Sequence, residues 1–301
     1  MAIQADAVTA PLPKPAHDGA PHWTTVDWAP FTRNNLVSGR RIRYVDYGTG
    51  PVLVLLHGMA ASWQWWLENI PSLSEQHRVI AVDLPGFGHS EALPAPAEMS
   101  AHAQVVLDLL DQLGIGSAIV AGHSMGGLIA LEMVAADPVR TRELVLVGAG
   151  GVPMTERRLS MILAVLRICA AIAQRDVVRR ALATRSWIRR IALRGGFRDP
   201  RVLSAELAAQ IMPIFAGPGF MDAVAAAGRA VRQTRPSSVS CPVLLLWGEF
   251  DVMAPLTCAR DMHDELPESE LVVINGVGHT PMIESPEAFT RALLQFSTRT
   301  R

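Results

Sequence analysis

Three side chains of this sequence, a serine, an aspartate and a histidine, have the types and the chain order needed for nucleophilic catalysis. Ser124 lies in the run 122–126, which reads Gly-His-Ser-Met-Gly, and Asp251 and His279 each follow a later apolar run. A serine hydroxyl is a poor nucleophile at neutral pH until a base takes its proton. The usual base is a histidine that a carboxylate orients and stabilises. We therefore predict Ser124 as the nucleophile, His279 as the base and Asp251 as the orienting acid.

The run 122–126 also predicts how Ser124 is presented. It follows a short apolar run and precedes a helical pattern, which is typical of a sharp strand-to-helix turn that exposes one hydroxyl above a sheet. A serine in such a turn has a strained backbone, so the residues two positions away must be small. Gly122 and Gly126 meet that requirement.

Attack on a carbonyl also requires N–H donors for the oxyanion that forms. One donor should be the backbone N–H of Met125, directly after the nucleophile. We assign the other to Met59, in the loop after the apolar run 52–56, where Gly58 permits a close backbone approach. Candidate residues of the substrate pocket are large apolar side chains after this loop and in the segment 153–235: Trp63, Met161, Leu163 and Phe215.

Other titratable residues near these positions are assigned supporting roles. Glu249 is the rival acid, but it lies close to a strand end and is expected behind the triad. His57 is expected to hold the oxyanion loop through hydrogen bonds, and His123 to pack beside the nucleophile. No two histidines have the spacing of metal ligands on a helix, so we expect neither a metal nor another cofactor.

Strands alternate with helices over most of the chain. Continuous apolar runs predict strands, and residues with helical spacing fill most of the gaps between them. This alternation predicts an α/β fold with a mostly parallel central sheet flanked by helices. The predicted strands are 41–47, 52–56, 79–82, 119–121, 144–147, 243–247 and 271–274, and the clearest helical patterns are 101–113, 127–136, 257–266 and 286–296.

The alternation stops in a helical, arginine-rich segment. From 153 to 235 there are fifteen Arg and five acidic residues, although the whole chain has a net charge of −1. Such an asymmetry marks a separate module. We predict a flexible leader over 1–33, an α/β core over 34–152 and 236–301, and an inserted helical cap over 153–235.

Composition limits the classes of function. Half of the 301 residues are hydrophobic and 18% are charged, which predicts a large core. The net charge of −1 lacks the excess of positive charge that is typical of nucleic-acid-binding proteins. The three cysteines suggest neither a disulfide framework nor a metal site, and no signal peptide or membrane-spanning run is evident. We expect a cytoplasmic protein. The apolar run 159–172 packs onto the core or meets lipid transiently, and we favour the core; the oligomeric state stays open.

The chain resembles α/β-hydrolase fold enzymes with a helical cap over roughly 36–296. The matching positions are His57-Gly58, the run 83–90 (Asp-Leu-Pro-Gly-Phe-Gly-His-Ser), the run 122–127, Asp251 and His279. The resemblance implies the α/β-hydrolase fold and hydrolysis by a Ser-His-Asp triad, without a cofactor.

The nucleophile narrows the reaction. Family members similar to epoxide hydrolases and haloalkane dehalogenases carry Asp at this turn, because alkyl transfer to a serine would leave an inert ether. We predict a small-molecule carboxylic ester or related acyl substrate with an apolar portion. A C–C hydrolase of a meta-cleavage-type product is an alternative, although the run 59–62 and Thr280 differ from the residues usual in that group. A ligand sensor that retains the fold is the other alternative.

Overall fold

The computed structural model describes residues 26–150, 175–215, 217–233 and 239–299, together with Trp23, Ile168, Ala171 and Ile172. The described residues form one eight-stranded sheet in the order β1-β2-β4-β3-β5-β6-β7-β8. The strands are β1 Thr32–Val37, β2 Arg40–Tyr47, β3 Val52–Leu56, β4 Arg78–Val82, β5 Ala118–His123, β6 Thr141–Val147, β7 Val243–Gly248 and β8 Glu270–Ile274.

The sheet is mostly parallel, which confirms the predicted fold class. Strand β2 pairs antiparallel with β1 and β4, and the pairings from β4 through β3, β5, β6 and β7 to β8 are all parallel. Strand β1 adds to the predicted set. Its sequence is largely polar and Leu36 is 68% exposed, so this edge strand lacks the apolar run that reveals the central strands.

Helices cover both faces of the sheet. Side chains of β3 alternate between two apolar clusters, with Val54 and Leu56 in one and Leu53 and Leu55 in the other. This is why the parallel strands read as continuous apolar runs. The helices are α1 Ile70–Leu73, α2 Met99–Gln112, α3 Met125–Ala136, α4 Asp176–Thr184, α5 Ser186–Ala192, α6 Ala205–Ile211, α7 Phe220–Gln233, α8 Leu256–Glu265, α9 Pro281–Glu284 and α10 Pro286–Arg299.

Part of the predicted leader 1–33 contributes to the core. Trp23, Val26 and Phe31 are buried, and the Phe31 ring meets the Tyr47 ring edge to face at 4.5 Å. Strand β1 begins at Thr32, before the predicted boundary. Burial of the Trp23 and Phe31 rings stabilises this segment against the core. The packed part of the chain therefore starts earlier than the alanine- and proline-rich composition suggests.

The described chain between β6 and β7 is helical and contacts loops that follow the core strands. Gly219 N–H donates to the carbonyl of Gly86, and Arg198 N–H donates to the Glu284 carboxylate. Gly86 follows β4 and Glu284 follows β8, so these contacts lie toward the carboxyl ends of parallel strands. Met161, Leu163 and most of the run 159–172 lie outside the described residues. None of the described helices is long and apolar enough to cross a membrane.

Candidate active site

Ser124 occupies the turn between β5 and α3. Its backbone has φ 51° and ψ −114°, a conformation that costs a non-glycine residue free energy. A Cβ at Gly122 would collide with the backbone of Gly126, and a Cβ at Gly126 would collide with the carbonyl of Leu56. The two glycines are therefore required for the chain to pass through this turn, which is the local geometry predicted from the run 122–126.

Asp251 and His279 are hydrogen-bonded to each other. The distance between His279 Nδ1 and Asp251 Oδ2 is 2.7 Å, and both residues are 5% exposed. Asp251 Oδ1 accepts hydrogen bonds from the backbone N–H groups of Met253 and Ala254 at 2.9 and 2.8 Å. Asp251 is thus fixed by three bonds, and because His279 donates from Nδ1, its Nε2 is the nitrogen left to accept a proton.

The three predicted triad residues converge at one edge of the sheet. Ser124 follows β5, Asp251 follows β7 and His279 follows β8, all at the carboxyl ends of parallel strands. His123, beside the serine, has its ring 4.8 Å from the His279 ring. Gly148 follows β6, the strand between β5 and β7. A Cβ on Gly148 would lie 3.1 Å from Asp251 Oδ2 and 3.2 Å from His279 Nδ1, so Gly148 lies directly beside this pair.

His123 supports the backbone of His279. Its Nε2 lies 2.8 Å from the His279 carbonyl oxygen, so this nitrogen carries the proton and donates it. Burial lowers the pKa of His123 well below its ordinary value, and proximity to His279 lowers it further. His123 is therefore a neutral hydrogen-bond donor to the loop of His279.

The loop after β3 is oriented by His57. Leu84 N–H donates to His57 Nε2 at 3.0 Å, so His57 Nδ1 carries the proton and donates to the carbonyl of Gly58 at 2.7 Å. Burial lowers the pKa of His57 to about 4, which keeps the ring neutral. In a trans peptide the C=O and N–H point in opposite directions, so this bond turns the Met59 N–H away from His57.

The same loop lies directly against the turn that carries Ser124. A Cβ on Gly58 would lie 2.6 Å from His123 Nδ1 and 3.3 Å from Ser124 Cβ, so only glycine fits there. Met59 is half-buried and Met125 is 1% exposed. The structure thus brings the loop of Met59 against the start of α3, where the N–H of Met125 lies.

Asp83 ties this loop to the one after β4. Its carboxylate accepts from the backbone N–H groups of Trp63 at 2.8 Å and His89 at 2.9 Å. Burial raises the pKa of Asp83 to about 6. A Cβ on Gly88 would collide with this carboxylate, which explains the glycine in the run 83–90. The run is a tight turn around a buried acid.

Glu284 is the supporting residue that the sequence analysis missed. Its Oε1 accepts from Gly278 N–H at 3.0 Å and from the backbone N–H and the hydroxyl of Thr280 at 3.3 and 3.1 Å. Its Oε2 accepts from the N–H groups of Arg198 and Asp199 at 2.7 and 3.4 Å. One carboxylate therefore binds both sides of His279 and the helical segment. Its only sequence signal is an acidic residue five positions after His279.

Glu249, the rival acid, lies near Asp251 but binds a different loop. It is exposed, and its Oε2 accepts from Gly276 N–H at 2.9 Å, so it holds the turn after β8. Asp251, not Glu249, contacts the His279 ring.

Comparisons with known proteins identify the family of this fold. A sequence profile described as alpha/beta hydrolase fold matches residues 51–168, and one described as TAP-like protein matches residues 223–298. The pimeloyl-[acyl-carrier protein] methyl ester esterase of Nitrosomonas europaea is 32% identical over 249 residues, which cover 80% of this chain and 94% of that protein. The chain belongs to the α/β-hydrolase fold family.

Other relatives of this α/β hydrolase differ in reaction. The 2-hydroxy-6-oxononadienedioate/2-hydroxy-6-oxononatrienedioate hydrolase of Burkholderia vietnamiensis is 29% identical over 272 residues, covering 86% of this chain and 91% of that protein. The structure of a thermophilic esterase from Thermogutta terrifontis, 27% identical, superposes with a TM-score of 0.73 and covers 89% of this chain and 98% of that one. The comparisons confirm the predicted fold and a hydrolytic enzyme.

A cavity of about 370 Å³ adjoins Asp251 and His279 in this α/β hydrolase. Arg194 and Arg198 line it, and the Arg198 guanidinium lies 4.6 Å from the centre of the Phe250 ring. Among the described residues, those that line this cavity are Arg194, Gly195, Phe197, Arg198, Glu249, Phe250, Asp251, Val252, Pro255, Leu256, Gly278 and His279.

The predicted pocket residues are distributed differently. Trp63 is 4% exposed and its ring contacts that of Trp28 at 5.5 Å, so it packs in the core beside the loop of Met59. Phe215 is half-buried, and its carbonyl accepts from Arg179 at 3.0 Å. Neither lines the cavity beside His279. In the part of the chain that the structure describes, no cluster of His, Cys, Asp and Glu could hold a metal ion.

His102 on α2 should make folding stability depend on pH. Burial lowers the pKa of His102 to about 4 from its ordinary 6.5. As the pH falls, His102 therefore binds a proton in the unfolded chain before it does so in the folded chain. The free energy of unfolding is highest above the pKa of the unfolded chain and decreases as the pH falls toward the pKa of the folded chain. Between about pH 7.5 and about pH 5 the loss is about 2 kcal/mol. In urea unfolding at these two pH values, the free energy of unfolding of His102→Gln should decrease by about that much less than that of the native protein. Equal decreases would contradict this assignment.

Proposed function

We propose that this α/β hydrolase cleaves a carboxylic ester or a related acyl compound with an apolar portion. The observation that carries the proposal is the 2.7 Å bond between His279 Nδ1 and Asp251 Oδ2, at the sheet edge where the strained turn presents Ser124. In this proposal Ser124 is the nucleophile, His279 the general base and Asp251 the acid that orients it.

The reaction then proceeds in two stages. His279 Nε2 takes the hydroxyl proton as Ser124 Oγ attacks the carbonyl carbon, and the imidazolium returns that proton to the leaving alcohol. Water, deprotonated by His279, attacks the acyl-enzyme and releases the acid. Asp251 orients and stabilises the imidazolium in both stages.

Backbone N–H groups of Met59 and Met125 are proposed to hold the oxyanion. The hydrogen bond from His57 Nδ1 to the Gly58 carbonyl supports the first donor, because it turns the Met59 N–H away from His57. The second donor is the first N–H of α3, where the helix dipole also favours negative charge. Met125 is buried and Met59 is half-buried, and hydrogen bonds shielded from water in this way are stronger than in water.

The division of the chain into a core and a cap is also part of the proposal. The core comprises 34–152 and 236–301, and the cap comprises 153–235, positioned over the carboxyl edge of the sheet. The contacts of Arg198 and Gly219 with loops after β8 and β4 support that placement.

A second candidate is hydrolysis of a C–C bond in a meta-cleavage-type acid by the same triad. Arg194 and Arg198 favour it, because they place two guanidinium groups around the cavity beside His279, where a substrate carboxylate could bind. Relatives named as hydrolases of such acids, including that of Burkholderia vietnamiensis, add support.

The two candidates are separated by comparing turnover of p-nitrophenyl esters, from acetate to long acyl chains, with turnover of a meta-cleavage product. We expect a higher kcat/KM for the esters than for the meta-cleavage product. The acyl chain length with the highest kcat/KM indicates the size of the apolar part of the substrate. Faster cleavage of the meta-cleavage product would reverse the order. Turnover of neither would count against both and favour a ligand sensor, identified by stabilisation on ligand binding.

Glu284 is proposed as the positioning residue for His279. Its carboxylate holds the N–H groups of Gly278 and Thr280, so the peptides on both sides of His279 share one anchor. We expect Glu284→Gln to lower kcat for the ester by roughly 10- to 100-fold with little change in KM, because a small displacement of the base is costly in rate. Glu284→Asp, which keeps the charge, should recover part of the loss.

The matched control is Glu91→Gln. Glu91 also accepts a backbone N–H, that of Arg41 at 3.1 Å, but it lies beside β2 and does not line the cavity beside His279. Steady-state kinetics should show native kcat for this control. Equal kcat for Glu284→Gln and the native enzyme would remove the positioning role, whereas a loss explained wholly by a lower unfolding midpoint would make Glu284 a stabilising residue only.

A further inference from the structure

Helices α4 and α5 present exposed apolar and cationic side chains on their outer sides. On α5, Trp187, Arg190 and Ile191 have the spacing of one helix face, and Trp187 and Ile191 are 55% and 68% exposed. On α4, Val177 is 70% exposed and shares a face with the exposed Arg180. We call these five residues the apolar-basic face.

The inner sides of the same helices are packed. Leu182 is buried, and Val178 and Ile188 pack against the apolar cluster on one side of the sheet. Arg189 is 4% exposed and donates to the carbonyls of Leu182 and Ala183 at 3.0 and 2.9 Å. The helices are therefore held from within, and the apolar-basic face points away from these contacts.

Most of the charge around this face is positive, and Asp199, which interacts electrostatically with Arg190, is paired with Arg201. Over 175–198 the single acidic residue is Asp176. Among the described residues, no salt bridge involves an arginine between 175 and 198. The exposed arginines within this stretch are Arg175, Arg180, Arg185, Arg190, Arg194 and Arg198.

We propose that the apolar-basic face binds the surface of a membrane that contains anionic lipids. Tryptophan and aliphatic side chains enter the boundary between headgroups and acyl chains, while guanidinium groups pair with anionic headgroups. A second copy of the chain would bring like-charged arginines together. A nucleic acid would neutralise the arginines but would offer no acyl layer to Val177, Trp187 and Ile191.

The apolar-basic face is followed directly in the chain by residues that line the cavity beside the candidate active site. Arg194, three residues after Ile191, lines the cavity beside His279. On the core side of that cavity, Phe250 and Val252 are 43% and 70% exposed. A membrane bound at the apolar-basic face would lie next to this cavity. The binding itself does not depend on which bond the enzyme cleaves.

Vesicle co-sedimentation of the full chain tests the proposal, with POPC vesicles and with mixed POPC–POPG vesicles. We expect binding to the mixed vesicles that weakens as NaCl is raised. The double variant Trp187→Ser/Ile191→Ser should lower the partition coefficient about tenfold or more. Arg180→Gln/Arg190→Gln should lower it about thirtyfold, since each arginine near the surface adds a separate attraction.

The control removes equally exposed apolar side chains elsewhere. Leu36 on β1 and Val139 after α3 are 68% and 78% exposed, and Leu36→Ser/Val139→Ser should bind like the native protein. Unfolding midpoints identify any variant whose loss of binding reflects misfolding, and the salt dependence of native binding remains as an independent arm. Equal binding to both vesicle types, or an equal loss in the control, would overturn the proposal. So would light scattering that shows a native dimer dissociated by Trp187→Ser/Ile191→Ser, which would assign the face to a second copy.

Discussion

Replacing Ser124 with alanine should lower kcat for a p-nitrophenyl ester by about 10⁴-fold or more, because in the proposed mechanism the Ser124 hydroxyl forms the acyl-enzyme. The hydroxyl takes no part in the turn, since Ser124 makes no side-chain hydrogen bond that caps α3. The fold should therefore persist. Stopped-flow measurement should show loss of the acyl-enzyme burst, while circular dichroism and the unfolding midpoint stay close to those of the native enzyme.

Ser74→Ala is the matched control for this loss. Ser74 is buried, whereas Ser124 is half-buried, and the Ser74 hydroxyl donates to the Pro71 carbonyl at 2.7 Å near the amino end of β4, away from the triad edge. Native turnover in this control, with loss in Ser124→Ala, would assign the effect to the nucleophile. Equal rates for Ser124→Ala and the native enzyme would exclude Ser124 from the mechanism and require another explanation for the strained turn.

The parts of this enzyme that could be predicted are those that local sequence determines. Runs such as Val52–Leu56 identify parallel strands because these strands are buried on both faces. The glycines around Ser124 identify the turn because no other residue fits against the Gly126 backbone or the Leu56 carbonyl. Once the strands are assigned, the loops of Asp251 and His279 must meet at the same edge.

The parts that could not be predicted depend on contacts between distant segments. Glu284 lies in a short helix, and only the folded chain brings the N–H groups of Arg198 and Asp199 to its carboxylate. Strand β1 pairs with β2 through backbone hydrogen bonds that leave little pattern in side chains such as Leu36. Trp63 follows the oxyanion loop in sequence, yet it packs against Trp28 from the segment predicted as a leader.

Asp251→Asn should lower kcat by about 10³- to 10⁴-fold while leaving the fold almost unchanged, because it reverses one hydrogen bond. The N–H groups of Met253 and Ala254 both donate to Asp251 Oδ1, so an asparagine should keep its oxygen at that position. Its NH₂ group then replaces Oδ2, 2.7 Å from His279 Nδ1, and can only donate. His279 must therefore accept at Nδ1 and carry its proton on Nε2, where it can no longer take one from Ser124.

This tautomer argument distinguishes Asp251→Asn from Asp251→Ala. The alanine variant also leaves the N–H groups of Met253 and Ala254 without the Asp251 acceptor, so it should lower the free energy of unfolding by about 1–3 kcal/mol in addition to the loss of rate. The asparagine variant should separate the two effects, with a low kcat and a nearly native urea midpoint, and NMR of the imidazole nitrogens should show the proton moved to Nε2. A kcat within about tenfold of native for Asp251→Asn would show that His279 does not depend on this carboxylate for its tautomer. In that case the 2.7 Å bond would serve the fold and not the reaction.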